Sequence, residues 1–312
     1  MKSNNMERRI LVGDIGGTKT ELAIVTEGNF FERIEKFLSK EFNSLEEIMF
    51  KFLKDEQIDV ACFGVAGPVI NEKCCVTNLP WIIESQRIAK QFNIQTVLLI
   101  NDLEASAYGI SGVSKDQLYT INEGILSEGG NQVLISPGTG LGEAILVYHD
   151  HKYISVASEG GHSDFAPRNE KEIELFRYFK RKFPHVSYEC ILSGNGISDL
   201  YSFLSGGEKK EPEEITKENS NRSKETLKWF CEILGAEAGN LALKGCARNG
   251  VYIGGGIPIK ILDTLKEDDF MKGFLDKGRF SSFLKNVPVY LILDPHVSLF
   301  GALFSANYRK SQ

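Results

Sequence analysis

Residues 11–25 read Leu-Val-Gly-Asp-Ile-Gly-Gly-Thr-Lys-Thr-Glu-Leu-Ala-Ile-Val. The run Arg9–Gly13 predicts a strand entering a glycine turn, and Glu21–Val25 predicts the strand that returns from it. Gly13 to Thr20 nearly matches the common phosphate loop G-x-x-x-x-G-K-[ST]. The match fails at Thr18, where that motif needs glycine, and fails again where strand-like residues replace the required helix. A tight β-hairpin is the better reading. Gly16 and Gly17 would let backbone amides approach a phosphate, Asp14 could orient a magnesium-bound water, and Thr18 could donate its hydroxyl. The alternative is an ordinary hairpin whose glycines serve only the turn.

The pattern restarts further along. Val133–Ser136 predicts a strand, Pro137-Gly138-Thr139-Gly140 a turn, and Ala144–Tyr148 the returning strand. Two lobes, each presenting one phosphate-binding hairpin, account for the repetition. Gly254, Gly255 and Gly256 end another strand, Val251–Ile253, and could let a nucleotide lie close to the backbone. Ser44 with Glu47 forms a capping-box signal before a helix. Strands are predicted at Asp59–Val65, Thr96–Ile100 and Val287–Leu293. Helices are predicted at Glu84–Phe92, Lys171–Phe183, Lys224–Leu243 and Val297–Tyr308. The charge-rich stretch Ser205–Asn221 reads as a surface loop. Alternating strands and helices give an α/β chain. A small domain over 1–111, completed by a C-terminal helix at 298–312, and a large domain over 112–297 are expected.

Phosphoryl transfer to an alcohol needs a group that takes the hydroxyl proton. Asp102 is the candidate, because the apolar run Val97–Ile100 delivers it at a strand end. Asn101 beside it can bind a second hydroxyl. An Asn-Asp helix cap is the competing reading, and a cap and a catalytic site can coincide. Glu159 and His162, in Glu159-Gly160-Gly161-His162, can read a pattern of hydroxyls, as can Glu189 and Asn78. Trp81 is either an apolar wall for a sugar or part of the core.

The chain has 312 residues, enough for two domains with real cores, and a formal charge of -6, which argues against general attraction to nucleic acid. A polar start and the absence of any long apolar run predict a cytosolic chain with no membrane span. The six cysteines contain no Cys-x-x-Cys pair, so most are expected to be buried thiols, and no structural zinc is expected.

Taken together, Leu11–Thr18, Ile100-Asn101-Asp102, Gly138–Gly142, Glu159–Pro167, Leu192-Ser193-Gly194 and Gly254–Gly256 resemble the bacterial-type glucokinases of the actin-like sugar-kinase superfamily, over almost the whole chain. The resemblance implies a two-lobed, ribonuclease H-like fold with a central cleft, and ATP-dependent conversion of D-glucose to glucose 6-phosphate. It implies Asp102 as the base facing the 6-hydroxyl, and Asn78, Asn101, Glu159, His162 and Glu189 as sugar-binding positions. Asp14, Thr18 and Thr139, with their glycines, would face ATP and the magnesium carried on its phosphates. A homodimer and a place in glycolysis are implied too. The missing cysteine-rich zinc motif points to the zinc-independent branch. The chain departs from the family at Ser136 and Pro137, where small residues are common, and Pro137 removes a backbone donor. It also departs at Leu79. A kinase for another hexose or an amino sugar, a noncatalytic sugar-binding regulator, and an actin-like ATPase without a sugar acceptor remain as alternative readings.

Overall fold

The computed structural model describes residues 8–26 and 30–308. The chain divides into two compact units at Ser114/Lys115 and again at Leu293/Asp294, with the C-terminal segment belonging to the first unit.

In the first unit, β1 (Ile10–Ile15), β2 (Lys19–Val25) and β3 (Phe31–Leu38) run antiparallel in succession, while β4 (Val60–Val65) and β8 (Thr96–Asn101) extend the sheet in parallel. The sheet order is β3-β2-β1-β4-β8. Three short strands, β5 (Val69–Ile70), β6 (Lys73–Cys75) and β7 (Ile82–Glu84), form a separate antiparallel sheet. Side chains alternate across the main sheet, so each face has its own core. Leu11, Ile15, Leu22, Phe63 and Val65 pack with α1 (Leu45–Leu53). Val12, Ala23 and Cys62 pack with Leu299, Ala302 and Leu303 of the C-terminal helix (Val297–Tyr308). The sequence expectation carries this helix on to residue 312, and past Tyr308 that call lies outside the described residues. Helix α1 starts where the capping signal placed it. Ser44 Oγ accepts from Glu47 N at 3.3 Å, and Glu47 reaches back to Asn43 N at 2.8 Å.

The second unit repeats the scheme. Its sheet order is β12-β11-β10-β13-β14-β9, from β9 (Leu118–Asn122), β10 (Gln132–Pro137), β11 (Leu141–His149), β12 (Lys152–Ser158), β13 (Val251–Ile253) and β14 (Val289–Ile292). Strands β10, β11 and β12 are antiparallel in succession, and β13 and β14 join in parallel. The core on one face is built on α8 (Asn221–Gly245), whose Phe230, Ile233 and Leu234 are fully buried.

Two expectations are corrected. The stretch Ser205–Asn221 is not simply a loop, because it contains the helix Pro212–Lys217. Proline occupies its first turn, Glu211 and Glu214 close a reciprocal capping box, and the fully buried Ile215 anchors it. Nor are most cysteines buried. Cys62, Cys74 and Cys231 are, whereas Cys75 and Cys246 are exposed and Cys190 is intermediate.

The C-terminal helix packs against α3 (Asp102–Gly109) at backbone distance. A Cβ on Gly301 would collide with the carbonyl of Ala105, and one on Gly109 with the carbonyl of Val297. Backbone cannot yield as a side chain tip can. Gly301→Ala is therefore expected to destabilise the chain by about 1–3 kcal/mol, read as a lower denaturation midpoint at unchanged m-value.

Candidate functional site

Each unit carries one glycine turn, between β1 and β2 in the first and between β10 and β11 in the second. In the first, between β1 and β2, Gly16 N donates to Lys19 O at 2.9 Å. Ser39 latches the turn from β3's end: its Oγ donates to Gly16 O at 2.8 Å and its N to Thr18 O at 3.1 Å. Thr18 is exposed at the tip. Asn78 adopts φ 69° beside the turn, and a Cβ on Gly17 would sit 3.2 Å from its Cβ.

Asp14 lies across the hairpin from Glu21. Burial, then the charges of Asp102 and Glu21, push its carboxyl up to about 7 against a weaker lowering by a hydrogen bond from Ser298. Ser298 sits at the start of the C-terminal helix and lies 2.8 Å from Ser106 Oγ on α3. Sequence reasoning missed both Ser39 and Ser298. A serine opening the last helix was the available signal for the second.

Asp102 is the first residue of α3, directly after β8. Asn101 caps the helix, its Oδ1 accepting from Leu103 N at 2.9 Å and Glu104 N at 3.3 Å. Its Nδ2 donates to Gly67 O at 3.3 Å. The cap reading therefore holds at Asn101, with Asp102 opening the helix beside it. The Asn101 side-chain amide carries a second hydrogen beyond the one donated to Gly67 O. Trp81 belongs to the core: it is buried and its Nε1 donates to Phe42 O at 3.3 Å.

The second turn joins β10 to β11, with Gly138 N donating to Gly140 O at 2.8 Å. Pro137 ends β10, so its missing donor falls just before the turn. Gly254–Gly256 reach the same sheet end: Gly254 N donates to Ile135 O at 2.9 Å, and Gly255, at φ 84°, would meet Pro137 O if it carried a Cβ. Thr139 lies within this turn.

Glu159, His162 and Glu189 are gathered beside the second turn. Glu189 Oε2 accepts from Leu141 N at 2.9 Å, and its Oε1 lies 3.8 Å from His162 Nε2. Glu159 starts the short 3-10 turn Gly160–His162, with its carbonyl accepting from His162 N at 3.0 Å. Gly161 has no room for a Cβ against Leu141 O. His185 Nε2 lies 2.9 Å from His162 O and fixes the far side of the segment. Leu141, at the end of the second turn, thus meets Glu189 through its N and the Gly161 segment through its O.

Among the described residues no group of three or more His, Cys, Asp or Glu side chains is placed to hold a metal ion. No described helix is long and apolar enough to cross a membrane.

The glucokinase family model matches residues 11–308. A glucokinase from Trichormus variabilis is 37% identical over 95% of this chain and 98% of its own length. One from Chromobacterium violaceum is 35% identical over 93% of this chain and 87% of its own. Among solved structures, a glucokinase from an Antarctic psychrotroph superposes with a TM-score of 0.87 at 30% identity, covering 96% of this chain and 98% of that one. A Balamuthia mandrillaris glucokinase in complex with glucose shares the fold at a TM-score of 0.82 and 20% identity, covering 98% and 95%. With the family model spanning both units and relatives this similar over nearly their full length, the chain belongs to the glucokinase family.

Proposed function

We propose that this chain transfers the γ-phosphoryl group of ATP to the 6-hydroxyl of D-glucose, with Asp102 as general base. The observation that supports the reading is the approach of Asp102 to the strand that carries Asp14: on the intervening β4, a Cβ on Gly64 would lie 3.6 Å from Asp102 Cα and 3.7 Å from Gly13 O. A proton acceptor and a phosphate-type turn share one sheet edge, which is what in-line transfer to an alcohol requires.

The donor set fits ATP with magnesium. Burial first, then the negative charges of Asp102 and Glu21, raise the Asp14 carboxyl to about 7. A divalent cation on the triphosphate would relieve that repulsion, with Asp14 holding it directly or through water. Bound there, magnesium supplies neutralisation of charge on the phosphate oxygens. The turns at Gly16–Thr18 and Gly138–Gly140, with Gly254–Gly256, present backbone to the phosphates and nucleotide. Asp102 takes the proton from the attacking hydroxyl. Sugar recognition falls to Asn78 and Asn101 in the first unit and to Glu159, His162 and Glu189 in the second.

A kinase for another hexose would keep the turns and change the acceptor contacts, so catalytic efficiencies across a hexose panel separate it from a glucokinase. A noncatalytic sugar-binding regulator is disfavoured by Asp102 at the helix start. Action in the cytosol and assembly as a homodimer remain part of the proposal.

Asp102→Asn should lower kcat by about 10²–10⁴ while leaving the fold and the Asn101 cap intact, as measured by ADP release with glucose. Near-normal turnover would remove Asp102 from the base role. Glu189→Gln keeps an acceptor for Leu141 N but loses the charge. It should raise the glucose KM by roughly 10- to 100-fold, with the ATP KM little changed in the same assay.

A further inference from the structure

Behind the Glu159–His162 segment lies a pair of acids that the mechanism above does not use. Glu143 on β11 is 1% exposed and Glu237 on α8 is fully buried. Glu237 has conventional partners: Asn240 Nδ2 donates to it at 2.8 Å and Lys244 Nζ at 3.3 Å. Asn240 also donates to the hydroxyl of Tyr188, the residue before Glu189, at 3.1 Å. Glu143 is less well provided. Its Oε1 is buried with no hydrogen-bond partner, and its Oε2 occupies the place where a Cβ on Gly160 would sit. Helix α8 packs on β11, and the Glu237 charge acts on this carboxyl. Two carboxylates attract each other only if one carries a proton.

We propose that Glu143 is a positioning residue, a buried carboxyl that keeps its proton, donates it in a hydrogen bond to Glu237, and supports the backbone at Gly160 so that Glu159 and His162 face the sugar. The proposal rests on the assignment of Glu159, His162 and Glu189 as sugar contacts. The groups facing the pair are few. Glu237 and Lys244 come from α8, and the Tyr188 hydroxyl lies against Glu237. Lys277 feels the Glu237 charge. The neighbouring strands offer only Ile135 and Ser158 opposite Glu143. Burial first, then the Glu237 charge, raises the Glu143 carboxyl to about 8, with Lys244 opposing weakly.

The sign follows from this. An acid raised by folding holds a proton in the folded chain that the unfolded chain has already released. Between the unfolded value of 4.5 and about 8, rising pH therefore favours unfolding, by up to about tenfold per pH unit. Above about 8 the folded chain loses the proton too, Glu143 and Glu237 repel, and the Gly160 backbone loses its support.

The test compares the parent chain with Glu143→Gln, which keeps a hydrogen-bond donor without titrating, and Glu143→Ala, which keeps neither. Glucose and ATP KM are measured from about pH 6 to about pH 9.5, alongside amide hydrogen exchange over residues 158–165 corrected for its intrinsic pH dependence. In the parent, the glucose KM should climb by up to about tenfold per pH unit above about 8, as the competent fraction falls, while the ATP KM does not follow it. Glu143→Gln should flatten that climb and keep the segment protected at alkaline pH. Glu143→Ala should raise the glucose KM and the exchange at every pH. A Glu143→Gln profile that matches the parent in both readouts overturns the proposal, and it decides the matter even if Glu143→Ala does not fold. Loss of all hexose phosphorylation by the parent would instead defeat the functional reading. Exchange over residues 158–165 would still report whether Glu143 supports the segment.

Discussion

The site depends on backbone and carboxylates meeting at separations that a Cβ would forbid. Gly140 lets the Glu189 carboxylate reach Leu141 N, and Gly161 lets the Glu159–His162 segment lie against Leu141 O. Without these approaches the side chains proposed to read the sugar would stand off from the turn that is proposed to take the phosphates. Transfer tolerates little slack, because misplacing a reacting group by about 1 Å costs on the order of 100-fold in rate. The glycines of this chain therefore serve distance as much as turn geometry.

The same compactness concentrates charge. Asp14, Glu21 and Asp102 crowd one sheet edge, and Glu143 meets Glu237 in the interior of the other unit. Neither cluster is a way to maximise the stability of the ligand-free chain, since buried like charges raise the cost of folding. The first cluster makes sense where a polyphosphate and its cation bind. In the second, the Lys244 ammonium beside Glu237 and the proton proposed to stay on Glu143 offset the charge.

Much of this was legible in the sequence because the decisive signals are local. The hairpin at 11–25, the cap at Ser44 and the strand that ends at Asn101 each rest on neighbours in the chain, and the structure places them at the expected residues. The helix Pro212–Lys217 was hidden because its anchor is a single apolar residue, Ile215, in a stretch whose charge resembles a solvated loop. The latches Ser39 and Ser298 and the pair Glu143–Glu237 were hidden for another reason. Each acts on a partner distant in sequence, and a serine or glutamate in a strand or helix gives no periodic signal of that.

The repeated topology explains why the two glycine turns look alike while the polar residues near them do not. The orders β3-β2-β1-β4-β8 and β12-β11-β10-β13-β14 are equivalent strand by strand. The counterpart of β8, which ends at Asn101 and Asp102, is β14, followed by Leu293 and Asp294. Both strand ends carry a side chain that accepts from the amide two residues on: Asn101 from Leu103 and Asp294 from His296, at 2.9 and 2.8 Å. After Asn101 the chain turns into α3 at once, which sets a carboxylate at the start of a helix beside Asp14. After Leu293 it leaves the second unit, and its closing helix brings Ser298 to the same Asp14. One element of the repeat thus delivers the proposed base, and its twin delivers a support for the acid of the first glycine turn. In the second unit the side chains proposed to read the sugar therefore come from the segments after β12 and at Glu189, which are not bound by the repeat.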